Sequence, residues 1–108
     1  MEQGVAVTDR ALEAIERLRG EHGPLAFFQS AGCCDGSLPI CLKAGELPPG
    51  PGDTLLGMPG GAPFYIDEEL HRRWGRPRLL LDLGEGAPEG FSLGPRDQHF
   101  VTTEARRP

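Results

Sequence analysis

Sixteen glycines and eleven prolines, a quarter of the 108 residues, cut this sequence into short apolar segments separated by turns. That density approaches the range in which chains stay disordered, yet the segments between the breakers keep helical or strand-like periodicity. The expectation is one loop-rich globular domain spanning residues 1–108, with a modest core because only 38% of the residues are hydrophobic.

The formal charge of −5 bears on partners. Affinity for a phosphate backbone rests on clustered Lys and Arg, and here acids outnumber bases, so no nucleic-acid partner is expected. Lys43 is the only lysine. No apolar run approaches the roughly 20 residues of a spanning helix, and "MEQGVAVTDRAL" is not a basic region followed by an apolar stretch. A cytoplasmic protein without a membrane partner is expected.

Thr8 is a good helix N-cap, and Ala11, Leu12, Ile15 and Leu18 recur at helical spacing, which predicts a helix from Asp9 to Arg19 ending at Gly20 or Gly23. Glu13, Arg17 and Arg19 read as its solvated face. Leu25 to Phe28 form an apolar run too short for a helix, read as a strand covered on both sides. "LPICLK" alternates Leu38, Ile40 and Leu42 against Pro39, Cys41 and Lys43, the pattern of a half-buried strand expected to pair with the preceding one.

Ala44 to Asp53 form a turn-rich connector. "TLLGM" and "PFYI" are short strand candidates, and Asp67 caps a short helix, "EELHRRW", with Leu70 and Trp74 one turn apart on an inward face. Gly75 and Pro77 stop it. "RLLLDL", "FSL" and "QHFVTT" read as three further strands and "EARRP" as a frayed tail. With so few helical crossovers, the fold class is α+β: a mixed or antiparallel β-sheet with two helices.

All three cysteines lie in "SAGCCDGSLPIC". Asp35-Gly36 signals a tight hairpin in which Cys34 faces Ser37 and Cys33 faces Leu38, leaving Cys34 and Cys41 roughly 13 Å apart along the strands. Pro39 favours a wider loop that sets Cys33 opposite Cys41 with Cys34 turned toward them. Converging thiolates would make a soft site for Zn, Cu(I) or Fe/iron-sulfur chemistry at Cys33, Cys34 and Cys41, with Asp35 or a histidine as fourth ligand. Successive side chains diverge in extended chain, however, and no Cys-x-x-Cys pair is present. A buried, packing role for Cys33 and a thiol-redox role for Cys34 with Cys41 stay open beside the metal reading.

His22, His71 and His99 are scattered and read as surface or satisfied histidines. The aromatic residues Phe27, Phe28, Phe64, Tyr65, Trp74, Phe91 and Phe100 read as core. Catalytic-serine, paired-carboxylate and phosphate-loop patterns do not occur, so the chain reads as non-enzymatic.

"HGPLAFFQSAGCCDGSLPIC", with the downstream "LLG", "PFYI" and "FSL", resembles the small bacterial proteins grouped as domain of unknown function 779, from about Val5 to about Thr103. "GCCDGS" and the following Cys are the most specific part. Members are described as associated with aldehyde dehydrogenases, so the resemblance implies an accessory role with such an enzyme as partner. "VTDRALEAIERL" is in addition similar to the first helix of the HesB-like, A-type iron-sulfur carriers, which implies a related fold; the cysteine pair of that family has no counterpart in "GAPEGFSLG". Homo-oligomerisation is expected, because a small core with strand edges gains from covering them.

Overall fold

The computed structural model describes residues 4–29, 39–46, 48–86, 93–94 and 97–104. Its elements are β1 (Val5–Val7), α1 (Asp9–His22), β2 (Leu25–Gln29), β3 (Ile40–Lys43), β4 (Asp53–Gly57), a 3-10 turn (Pro59–Gly61), β5 (Phe64–Asp67), α2 (Glu68–Arg73), β6 (Leu79–Glu85) and β7 (Gln98–Glu104). Among the described residues, two helices and seven strands in mixed sheets make the fold α+β. The "FSL" segment and the "EARRP" tail fall largely outside the described residues.

α1 begins where the sequence says it should. Thr8 is extended, and its hydroxyl accepts from the Ala11 amide, satisfying one of the donors a helix start leaves unpaired. The helix runs past Gly20 and stops at Gly23, whose φ of +86° turns the chain while its amide donates to the Arg19 carbonyl. Ala11, Ala14, Ile15 and Leu18 form the buried stripe. Arg19 is exposed, as expected, and from that face donates from Nη1 to the Gly60 carbonyl at 2.7 Å.

One sheet is ordered β1-β6-β7, with β1 parallel to β6 and β7 antiparallel to it. The other is ordered β3-β2-β5-β4, with β2 parallel to β5 and the outer pairs antiparallel. Gly4 stitches the two together: its amide donates to the Leu56 carbonyl of β4 at 2.8 Å, and its carbonyl accepts from the Leu79 amide of β6 at 2.9 Å. β1 itself is a strand the sequence did not announce.

The main core lies between the sheets and α1. Phe27 of β2 stacks on Phe64 of β5 at 5.9 Å between ring centroids and meets Phe100 of β7 edge-on at 5.0 Å, so three rings span both sheets. Leu79, Leu81 and Leu83 alternate into this core along β6. On the outer face of the four-stranded sheet, Ala26, Phe28 and Leu42 form a second cluster with Ile40 and Tyr65. β2 is therefore buried on both faces, as its unbroken apolar run required.

Two expectations about inward faces fail. In β3 the residue entering the main core is Cys41, while Leu42 and Ile40 serve the second cluster. Trp74 is 39% exposed, because α2 ends at Arg73 and the chain turns away through Gly75 and Arg76, both at positive φ.

Candidate metal loop and the cleft beside it

The β2–β3 ladder sets the foot of the cysteine loop. Phe28 stands opposite Ile40, Phe27 opposite Cys41 and Leu25 opposite Lys43. Cys33, Cys34 and Asp35 lie in the connection between the strands, outside the described residues. In this ladder Cys41 faces Phe27, so Cys33 does not stand opposite Cys41 as in the wider loop. The Asp35-Gly36 turn of the tight hairpin lies outside the described residues.

Cys41 is fully buried, with 0% exposure, one rung in from Ile40. Its carbonyl accepts from the Leu93 amide at 2.8 Å, which brings the segment before β7 against the outer edge of β3. Burial pushes its thiol up to about 12, because an apolar surrounding disfavours the thiolate. Among the described residues, no group of three or more His, Cys, Asp or Glu side chains is arranged to hold a metal ion.

At the loop end of β2, Gln29 is buried and its Oε1 accepts from the Thr102 hydroxyl of β7 at 2.7 Å. Thr102 also lines a cleft of about 320 Å³ with Trp74, Pro77, Leu79 and Thr103. The wall of this cleft is the α2–β6 turn. His71, expected on a charged surface face, is only 7% exposed; its Nε2 lies 3.2 Å from the Pro77 carbonyl and its Nδ1 is buried without a hydrogen-bond partner. Since a carbonyl only accepts, Nε2 is the donor in this contact.

Arg76 sits at φ +53°, a conformation unusual for a side-chain-bearing residue. Its amide donates to the His71 carbonyl at 2.9 Å, and its guanidinium pairs with Glu68. The Thr54 hydroxyl donates to the same Glu68 carboxylate at 2.7 Å, and these two contacts, Thr54 first, hold that carboxyl below its ordinary range. In the sequence Gly75 and Pro77 signal only the end of the helix; the Gly75-Arg76-Pro77 run directly after Trp74 was the available signal for the turn.

A second polar knot ties α1 to β6. Arg10 donates from Nε and Nη2 to the two oxygens of Asp82 at 2.8 and 3.1 Å, and Thr8 and the Leu83 amide donate to Oδ1. The Arg10 contact, helped by those two donors, holds the Asp82 carboxyl well below the usual carboxylate range.

The family model described as domain of unknown function (DUF779) matches residues 14–106, from the middle of α1 to just beyond β7. The chain belongs to the DUF779 family. The match takes in the cysteine loop, its β2–β3 frame and the turn that carries Trp74, so both regions described above belong to the DUF779 unit. No curated protein matches this DUF779 chain. No helix among its described residues is long and apolar enough to cross a membrane.

Proposed function

We propose that this DUF779 protein is a small cytoplasmic accessory protein that acts by binding, and that the β2–β3 connection is its binding element. Cys33, Cys34 and Asp35 in the loop, with Cys41 at its foot, take a soft metal ion or metal cluster, Zn or Fe/iron-sulfur. The loaded protein, as a homo-oligomer, supports an aldehyde dehydrogenase, the partner the family resemblance implies.

The observation that carries this reading is the placement of Cys41. It puts one thiol within one strand-loop-strand unit that holds every sulfur-bearing cysteine of the chain, anchored by the Phe27 pairing on one side and the Leu93 contact on the other. A thiol raised to about 12 is protonated at neutral pH, so without metal Cys41 is a small core residue. Metal binding replaces that proton, which makes uptake release protons and strengthen with pH.

Elemental analysis of anaerobically purified protein, followed by titration with Zn or Fe, tests the metal reading. Bound metal that disappears in a Cys33→Ser/Cys34→Ser variant supports it. Metal-free protein whose thiols do not respond to either ion overturns it.

A second reading is a partner-binding module that needs no metal. It is favoured by Leu55 and Met58, which are 51% and 48% exposed on and just after the outer strand β4. Replacing all three cysteines with serine separates the two: dehydrogenase binding that survives the replacement belongs to the second reading.

A further inference from the structure

We propose that the cleft beside Trp74 binds a small uncharged molecule consisting of one or two rings and carrying a hydroxyl or N–H donor. The volume of about 320 Å³ lies at the lower end of small-molecule sites. Trp74 supplies a flat aromatic surface, Pro77 and Leu79 apolar contact, and Thr102, on the same face of the sheet as Leu79, a hydroxyl. None of the described lining residues is charged, so among them a charged ligand finds no counter-ion to replace its hydration.

The hydrogen-bonding polarity follows from Gln29. Thr102 has a single hydroxyl proton, and it is committed to the Gln29 Oε1. Toward the cleft, Thr102 offers only a lone pair, so the ligand must donate.

The wall is built to hold its shape. Buried His71 holds the Pro77 carbonyl from behind, Glu68 holds Arg76 in its left-handed conformation, and the Trp74 amide donates to the Leu70 carbonyl at 3.1 Å. A strained non-glycine residue and a buried nitrogen without a partner, one on each side of the same turn, are costs that a merely connecting segment has no reason to keep. Holding the indole and Pro77 in place beforehand reduces the ordering that binding would otherwise require.

Trp74 is the only tryptophan in the chain, so its fluorescence reports on this cleft alone. Benzyl alcohol titrated into the full-length protein should give a saturable change in emission, with amide NMR shifts centred on Leu79, Thr102 and Thr103. Anisole, which has no donor, and benzoate, which is charged, should each bind roughly tenfold more weakly, the scale of one hydrogen bond. Trp74 is 39% exposed, and Trp74→Ala should abolish the amide shifts while leaving the unfolding temperature unchanged. An emission change that never saturates, equal affinity for the three compounds, or undiminished amide shifts in Trp74→Ala overturns the proposal.

Discussion

The hydroxyl of Thr102 in β7 and the side-chain carbonyl of Gln29 in β2 meet at 2.7 Å, a polar contact joining the two sheets where β2 runs into the cysteine loop. Gln29 is among the most deeply buried side chains of the protein, so this contact lies in a low-dielectric setting. Thr102→Val keeps the side-chain shape and removes the donor. It should cost about 1–2 kcal/mol in chemical denaturation. A double-mutant cycle with Gln29→Leu should return a coupling of about 1 kcal/mol, and additive effects would show that the two residues act independently.

The buried Cys41 thiol gives the fold an alkaline weakness. An exposed thiol ionises near 9, while the folded one is held up to about 12. Between those values the unfolded chain sheds a proton that the folded chain retains, so stability falls as the pH rises through that window. Cys41→Ala, with nothing to ionise, should flatten the slope, as measured by urea unfolding of the metal-free protein across it. In the native protein, iodoacetamide should alkylate Cys41 only at the rate of unfolding.

Asp82 supplies the opposite limb. Its carboxyl is held below the usual range by Arg10, Leu83 and Thr8, so its contribution is complete above the unfolded-state value of about 3.9. It is lost as the pH falls through the lower folded value. Asp82→Asn should lower stability at neutral pH by about 1–2 kcal/mol and reduce the steepness of acid unfolding. Equal acid slopes in the two proteins would count against this role.

Gly60 carries the contact between α1 and the 3-10 turn. Its φ is +60°, and a Cβ there would lie 2.9 Å from Ile15 Cγ2 and 3.1 Å from Leu12 Cδ1. Gly60→Ala combines left-handed strain with a clash against branched side chains and should cost about 2 kcal/mol or more. Gly20→Ala has nothing near its added methyl and should be neutral or slightly stabilising, which makes it the control in the same thermal-melt series.

The legible parts of the sequence were those governed by local chemistry. Thr8 and Asp67 capped the two helices, Gly23 ended the first, and the run from Leu25 to Phe28 read as a strand covered on both faces. β1 was missed because three residues are too few to show a period, and its strand character comes from pairing with Leu79, Leu80 and Leu81 far along the chain. Alternation in β3 separated Cys41 from Leu42 correctly, but both faces of that strand are covered, and a pattern of two cannot say which face holds the larger core. His71 was concealed by Arg72 and Arg73 beside it in a six-residue helix, where burial is decided by the turn that follows. The soft-ligand composition of the loop was visible, whereas the pairing of Phe27 with Cys41 was not, because alternation assigns faces and leaves open which residues stand opposite one another.

The parallel pairing of Val5–Val7 with Leu79–Leu81 has a bearing on synthesis. β1 cannot find its neighbour until the chain as far as Leu81 has been made, and Gly4 cannot bridge Leu56 to Leu79 before then. Zipping these two distant segments together demands a large loop closure, which belongs among the late steps of folding.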